Sequence, residues 1–277
     1  MSEPVLSIEN LHISIGKPLV HGISLDLQRG RIQGLAGESG SGKTLTSLAV
    51  LGLLPRSASV SGSIRLTGTE LLGMRTTQLN RIRGSRIAMV FQDPSTALHP
   101  QIPIGVQLTD HLRTHGKISR RDARTHAGDM LERVAIPDPG AAMKRYPHQF
   151  SGGQRQRIAI AGALMCGPEV LLADEPTTAL DVTVQAGILQ LLRDLALERD
   201  LAVLLVTHDL GVMSAIADNV AVMRHGHLVE SAPRAHLFHD PQDEYTRTLL
   251  AALPGSRLEA EDPVDPALLP DEETDDE

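Results

Sequence analysis

Gly37-Glu38-Ser39-Gly40-Ser41-Gly42-Lys43-Thr44 is the stretch on which the reading of this 277-residue chain turns. It follows an apolar run from Arg31 to Ala36 that reads as a strand. It opens a second apolar run, from Lys43 to about Leu54, that reads as a helix. Strand, glycine-rich turn and helix in that order are the setting of a phosphate-binding P-loop. The glycines let backbone N–H groups turn inward around a β-phosphate, Lys43 reaches the β and γ oxygens, and Thr44 offers its hydroxyl to Mg²⁺. The helix that starts here adds its positive end to the anion site. A plain glycine-rich turn is the competing reading, and the full eight-residue match after a strand weighs against it.

Further along, Val170-Leu171-Leu172-Ala173-Asp174-Glu175 reads as an apolar strand that ends in two carboxylates. A nucleotide hydrolase needs an anion for its metal and a base for its water; Asp174 fits the first role and Glu175 the second. Alone, such a pair is more often a solvated turn; beside a P-loop the functional reading dominates. Phe150-Ser151-Gly152-Gly153-Gln154 opens another helix, and Ser151 with Gln154 has the spacing of a capping box. Capping accounts for Ser151 and Gln154 but not for Gly152 and Gly153, which leave N–H groups open to an anion.

Composition narrows the field of partners. The net charge of −8 is concentrated at one end: ten of the 34 acidic residues lie between Glu259 and Glu277, where no Lys or Arg occurs, and the rest of the chain is close to neutral. Neither that balance nor the aromatic content, with no Trp, two Tyr and three Phe, suits nucleic acid as the ligand. The lone Cys166 excludes an intramolecular disulfide or a multi-cysteine metal cluster and fits inert packing in a reducing compartment. No stretch has the roughly 18 uninterrupted apolar residues of a membrane span, and the start MSEPVLSIEN has no basic-then-apolar leader, so any membrane role is expected to come through partners.

Alternation from Val5 to Ile15 and through Ile23, Leu25 and Leu27 predicts antiparallel strands with one buried face. Further strands are predicted at Ser63 to Leu66, Arg86 to Phe91, Val170 to Ala173, Leu201 to Val206 and Val220 to Met223. Between Pro94 and Met165 helical periodicity takes over, at Ile104 to Arg113, Ser119 to Val134 and Gln154 to Met165. After His225 a short strand and two helices are expected, the last near Glu244 to Ala252. The Pro- and acid-rich segment 256–277 cannot bury enough apolar surface to fold alone and is expected to be a disordered tail.

Ser-Gly-Gly-Gln, 18 residues ahead of a strand ending Leu-Ala-Asp-Glu-Pro, resembles the signature motif of ABC ATPases. Gln92 matches that family's Q-loop glutamine, Ala179-Leu180-Asp181 its D-loop, and His208, after Leu204-Leu205-Val206-Thr207, its switch histidine. The resemblance covers about residues 5 to 252. It implies an α/β fold, a P-loop NTPase (ABC ATPase) core with an antiparallel β subdomain and a helical subdomain at about 94–165, within a domain of residues 1–255. It further implies ATP and Mg²⁺ as ligands. Gly37, Glu38, Ser39, Gly40, Ser41, Gly42, Lys43 and Thr44 would hold nucleotide, with Ser151, Gly152, Gly153 and Gln154 supplied to a nucleotide on a facing subunit. Thr44, Gln92 and Asp174 would serve the metal, and Glu175, His208 and Gln92 the hydrolysis. One mark departs from the family: Ile15 stands where an adenine-stacking Tyr or Phe is expected.

Phe91-Gln92-Asp93-Pro94-Ser95-Thr96-Ala97-Leu98-His99-Pro100 resembles the stretch after the Q-loop in peptide and nickel importers, as do Tyr146 to Phe150, Thr183 to Ala186 and Asp240 to Thr246. Pro18 to Leu25 with Leu27 to Arg31 most resembles nickel-import subunits; dipeptide or oligopeptide import is the alternative. The scattered His225, His227, His236 and His239 have no ligand spacing. This branch implies a second homologous ATPase as a heterodimer partner, two transmembrane permease subunits, an extracellular substrate-binding protein, and a peripheral place on the cytoplasmic face of the inner membrane. A soluble ABC ATPase of DNA repair or translation would carry two cassettes or a coiled-coil insert, and a P-loop kinase would not need Ser151 to Gln154.

Overall fold

The computed structural model describes residues 3–116, 118–178 and 180–253. Ala179 of the expected D-loop, the boundary at residue 255 and the acidic segment 256–277 lie outside the described residues.

Strands β1 (Leu6–Ile15) and β2 (Lys17–Leu27) form a hairpin about Gly16. A register shift near Asn10, whose φ is 48°, resets the alternation, so that Leu6 and Ile8 before it and Leu11 and Ile13 after it all point into the core. Strand β3 (Ile32–Gly37) is buried along its whole length and runs through the glycine-rich loop into α1 (Lys43–Val50). That helix stops four residues short of the expected Leu54. The chain turns away at Gly52 with φ 61°, and Leu53 is left exposed. Strand β4 (Ala58–Leu66) begins five residues before the predicted Ser63, because its polar outer half pairs with β1 without facing the core. It is followed by β5 (Thr69–Glu70) and by α2 (Thr76–Ile82), which buries only Leu79 and so shows no helical periodicity.

After β6 (Ile87–Val90) the chain leaves the strands for α3 (Pro94–Ala97), α4 (Ile104–His115), α5 (Arg120–Arg133), α6 (Pro139–Ala142), a 3₁₀ turn at Pro147–Gln149 and α7 (Gly152–Leu164). It returns at β7 (Val170–Asp174), then continues through α8 (Val182–Glu198), β8 (Ala202–Thr207), α9 (Leu210–Ile216), β9 (Asn219–Arg224), β10 (His227–Pro233), α10 (Arg234–His239) and α11 (Glu244–Ala251).

Among the described residues these strands make a four-stranded antiparallel sheet, ordered β2-β1-β4-β5, and a six-stranded sheet, ordered β10-β9-β3-β8-β7-β6. In the larger sheet only β10 runs antiparallel. Its inner strands are apolar throughout because both faces are covered. Leu171, Ala173, Val203 and Leu205 pack among the helices, while Leu35, Leu172, Leu204 and Val206 pack under the antiparallel sheet. Asp218 pins the far end: it accepts from the Ile32 amide at 2.8 Å, from Arg31 at 2.9 Å and from Arg193 at 2.7 Å.

Strand register gathers the loops at one edge of this sheet. Ala36 lies opposite Thr207, Asp174 opposite Val206 and Val90 opposite Ala173, so the chain leaves β3, β6, β7 and β8 along that edge. A crevice outside the carboxyl ends of parallel strands is where ligands of open α/β sheets bind.

Candidate functional site

The loop after β3 is shaped by its glycines. Gly37 has φ 143°, and a Cβ there would lie 2.2 Å from the Met223 carbonyl oxygen; Gly42, at φ 108°, abuts Val20. With its start pinned against β9, the loop closes on itself: the Ser41 amide donates to the Glu38 carbonyl at 3.2 Å. Lys43 is buried, and its ammonium donates back to the carbonyls of Gly37 at 2.7 Å and Glu38 at 2.8 Å. Burial lowers the Lys43 pKa, against the opposing pull of Glu175, Asp174 and Glu38. An anion in the loop would offset the hydration that burial has taken from the ammonium.

At the end of β7, Asp174 is buried and its Oδ1 accepts from the Thr44 hydroxyl at 3.2 Å. Burial raises its pKa, the Thr44 hydrogen bond and the Lys43 charge oppose this, and neighbouring Glu175 adds to it. Thr44 and Asp174 are hard oxygen donors of the kind a magnesium ion takes. No group of three or more His, Cys, Asp or Glu gathers among the described residues, so the remaining ligands would come from Gln92 in the same cleft, phosphate oxygens and waters.

Glu175 turns out of the strand with φ 47°, a left-handed conformation that a residue with a Cβ adopts only when its surroundings hold it there. Its amide donates to the Val206 carbonyl at 2.8 Å, which fixes the turn. Its carboxylate then meets three donors, two from other segments and one from its own turn: His208 Nδ1 at 2.9 Å on Oε1, and Gln92 Nε2 at 3.0 Å and the Thr178 hydroxyl at 2.9 Å on Oε2. Burial pushes this carboxyl up, but the hydrogen bonds from His208 and Thr178 and the charges of His208 and Lys43 carry it below the usual glutamate value. An ionised carboxylate only accepts, so the His208 Nδ1 carries the proton of this contact. Gln92 meets the site through this bond to Glu175.

Gly37, Glu38, Ser39, Gly40, Gly42, Lys43, Thr44, Gln92, Glu175 and His208 line one open cleft of about 590 Å³. Such a cleft brings together a buried cation, a hydroxyl–carboxylate pair and a hydrogen-bonded carboxylate, the set needed to hold a polyphosphate and orient a water beside it. Ser151 to Gln154 are not part of its lining. Ser151 caps α7: its Oγ accepts from the Gln154 amide at 3.3 Å, and Gln154 Oε1 accepts from the Ser151 amide at 3.1 Å. Packing explains Gly153, where a Cβ would lie 2.4 Å from Val184, but Gly152 has nothing closer than Leu180 at 3.7 Å. The exposed helix start is thus open to something outside this chain. Asp181 caps α8, accepting from the Val184 amide at 2.9 Å.

Ile15 sits at the β1–β2 turn, opposite Lys17 and Ala58, and does not line the cleft. Two residues of the site carry no sequence signal of their own: Thr178, and Leu249 of α11, which lines the cleft. Tyr245 of α11, within the Asp240–Thr246 stretch but given no role by it, accepts from the Glu38 amide at 3.2 Å. Cys166 is half-buried, not core, and burial raises its thiol pKa.

The profile of the family described as "ABC transporter" matches residues 20–178. The dipeptide transport ATP-binding protein DppD of Bacillus subtilis is 48% identical over 259 residues, covering 91% of this chain and 77% of that protein. The probable D,D-dipeptide transport ATP-binding protein DdpD of Escherichia coli is 46% identical, covering 92% and 80%. The glutathione import ATP-binding protein GsiA of E. coli is 44% identical over 90% of this chain and 42% of its own length. Among solved structures, cbiO1 of Clostridium perfringens, part of the cbiONQ ABC transporter complex, has a TM-score of 0.76 at 26% identity, covering 91% of this chain and 97% of its own. The dimeric cassette MJ0796 bound to ADP and Pi has a TM-score of 0.72 at 26% identity, covering 83% and 98%.

Proposed function

The chain belongs to the ABC transporter family, as an ATP-binding subunit with ATPase activity, and from that premise we propose that it drives the import of short peptides. The observation that carries the reading is the 48% identity with a dipeptide transport ATP-binding protein over 91% of the chain. Similarity to a D,D-dipeptide and a glutathione import protein supports the same class. These relatives favour the peptide alternative over nickel, to which the opening hairpin points.

At the cleft, Lys43 and the loop amides would hold the phosphates, and Thr44 with Asp174 would hold Mg²⁺, which would supply positive charge to offset that of the phosphates. Glu175 accepts a hydrogen bond from the attacking water and takes its proton as the water oxygen bonds to the γ-phosphorus and the bond to the β-phosphate oxygen breaks. His208 and Gln92 hold the carboxylate in place. Ser151 to Gln154 would complete the nucleotide site of a facing subunit, in keeping with the exposure of Ser151 and Gly152 and with the place of all four outside this chain's own cleft lining. The facing subunit is a second homologous ATPase. The pair works on two permease subunits at the inner face of the membrane, supplied by an extracellular binding protein. No helix among the described residues is long and apolar enough to cross a membrane, which fits a peripheral place.

Uptake into proteoliposomes holding the complete transporter tests this reading. Labelled dipeptide is expected to accumulate with internal ATP and nickel is not; nickel accumulation with no dipeptide uptake would overturn it.

A further inference from the structure

The glycine-rich loop is held from outside by a residue near the far end of the described chain. Tyr245 is 6% exposed, and its hydroxyl accepts from the Glu38 amide at 3.2 Å while the Glu38 carboxylate also acts on it. The Arg224 guanidinium lies 4.6 Å from the centre of the Tyr245 ring and keeps it in place from β9. The helix that carries Tyr245 is bolted down at its start. Asp243 caps it, accepting from the Tyr245 amide at 2.8 Å, and the Glu230 carboxylate of β10 accepts from the amides of Gln242 at 2.9 Å and Asp243 at 3.1 Å. One turn on, Leu249 reaches the cleft itself.

Without nucleotide, the peptide around Glu38 is kept in shape by Lys43, whose ammonium grips the Gly37 and Glu38 carbonyls. Phosphate oxygens would draw that ammonium away, and the loop would then depend on its other ties. Around Glu38 those are the Ser41 amide on the Glu38 carbonyl and the Tyr245 hydroxyl on the Glu38 amide, while further along the loop the Gly226 amide donates to the Ser41 carbonyl at 3.1 Å. We propose that Tyr245 is a positioning residue that pre-organises the nucleotide loop and couples α11 to nucleotide occupancy. A loop held ready loses less freedom when ligand arrives, so the tie is read in affinity before turnover. Coupling is reciprocal: if docked α11 favours nucleotide, nucleotide favours docked α11. The proposal rests on residues 37–44 being the nucleotide site.

Three proteins separate the possibilities: wild type, Tyr245→Phe, which keeps the ring and removes only the hydroxyl, and Lys43→Ala. MgATP affinity is measured by titration, and amide exchange of residues 244–251 with and without MgATP. Tyr245→Phe is expected to weaken MgATP binding about 3- to 10-fold, the worth of one hydrogen bond, with kcat at saturation within about 2-fold of wild type. In the wild type MgATP is expected to slow exchange in α11, and in Tyr245→Phe to slow it much less. An unchanged affinity in Tyr245→Phe, or no nucleotide effect on α11 exchange in the wild type, would overturn the proposal and leave α11 as packing alone. Should Tyr245→Phe fold poorly, the wild-type exchange decides. Unchanged MgATP binding in Lys43→Ala would instead remove the site assignment.

Discussion

Replacing Glu175 by Gln should stop hydrolysis without emptying the site. The side chain keeps its volume, and the amide oxygen can still accept from one of the two sides now served by His208, 2.9 Å away, and by Thr178 and Gln92, 2.9 and 3.0 Å away. What disappears is the negative charge and the capacity to take a proton. A positioned general base contributes about 10²- to 10⁴-fold, so kcat should fall by that order. Binding should move the other way. Glu175 is an anion facing the space meant for a polyphosphate, and removing a like charge a few ångströms away in a watery cleft is worth on the order of 1 kcal/mol. ATP should therefore bind as well as before or up to about 5-fold tighter. The chain has no Trp, so a fluorescent ATP analogue serves for affinity, with phosphate release for turnover in the assembled transporter. Turnover within about 3-fold of wild type would remove Glu175 as the base. Lost nucleotide affinity with the fold intact would mean that this carboxylate holds the nucleotide and does not act on water.

Lys43→Ala should abolish measurable ATP binding while leaving the melting temperature of the empty protein unchanged or raised, because the ammonium is buried against its preference; calorimetry and nucleotide titration check both. Asp218→Asn should cost about 2–3 kcal/mol at pH 7, since Arg193, Arg31 and the Ile32 amide lose a charged acceptor. Burial pushes the Asp218 carboxyl up, but those partners outweigh it and hold it below the usual aspartate value. The stability it contributes is thus complete above about pH 4 and lost as pH falls through the lower folded value, so the gap in melting temperature between variant and wild type should close in acid. Ile15→Tyr should leave ATP affinity unchanged, as Ile15 does not line the cleft; tighter binding in the same titration would return the base to the first strand.

The parallel core is legible in the sequence because strands covered on both faces are apolar throughout: Val170 to Ala173 and Leu201 to Val206 stand within a residue of their observed bounds at each end. The outer half of β4 and the whole of α2 are not, because neither has a buried face to impose a period. Within the site, the loop, Asp174, Glu175, Gln92 and His208 follow from local motifs, and the strand register gathers them at one edge of the sheet, where Asp174 meets the cleft through its bond with Thr44. Neither Leu249 nor Tyr245, although Tyr245 lies in the resembling Asp240–Thr246 stretch, could be assigned to the site, because their place depends on α11 folding back over some 200 residues of chain to the first loop, a contact that no local pattern records. The missing aromatic at Ile15 is a departure from the family resemblance, and Ile15 is not among the residues that line the cleft.

On the proposed function this chain's cleft and its Ser151 helix serve two different nucleotides, and trapping nucleotide in the complex with the partner ATPase tests that division. Radiolabelled nucleotide is trapped by vanadate in two complexes, one carrying Lys43→Ala and one carrying Ser151→Arg in this chain, and the label on each subunit's loop is counted. Lys43→Ala should leave this chain's loop empty and the partner's occupied. Ser151→Arg should spare this chain's loop and deplete the partner's, because on the proposed function the blocked helix start would face the partner's γ-phosphate. If both variants deplete only the nucleotide on this chain's own loop, the site is not shared and the claim is wrong.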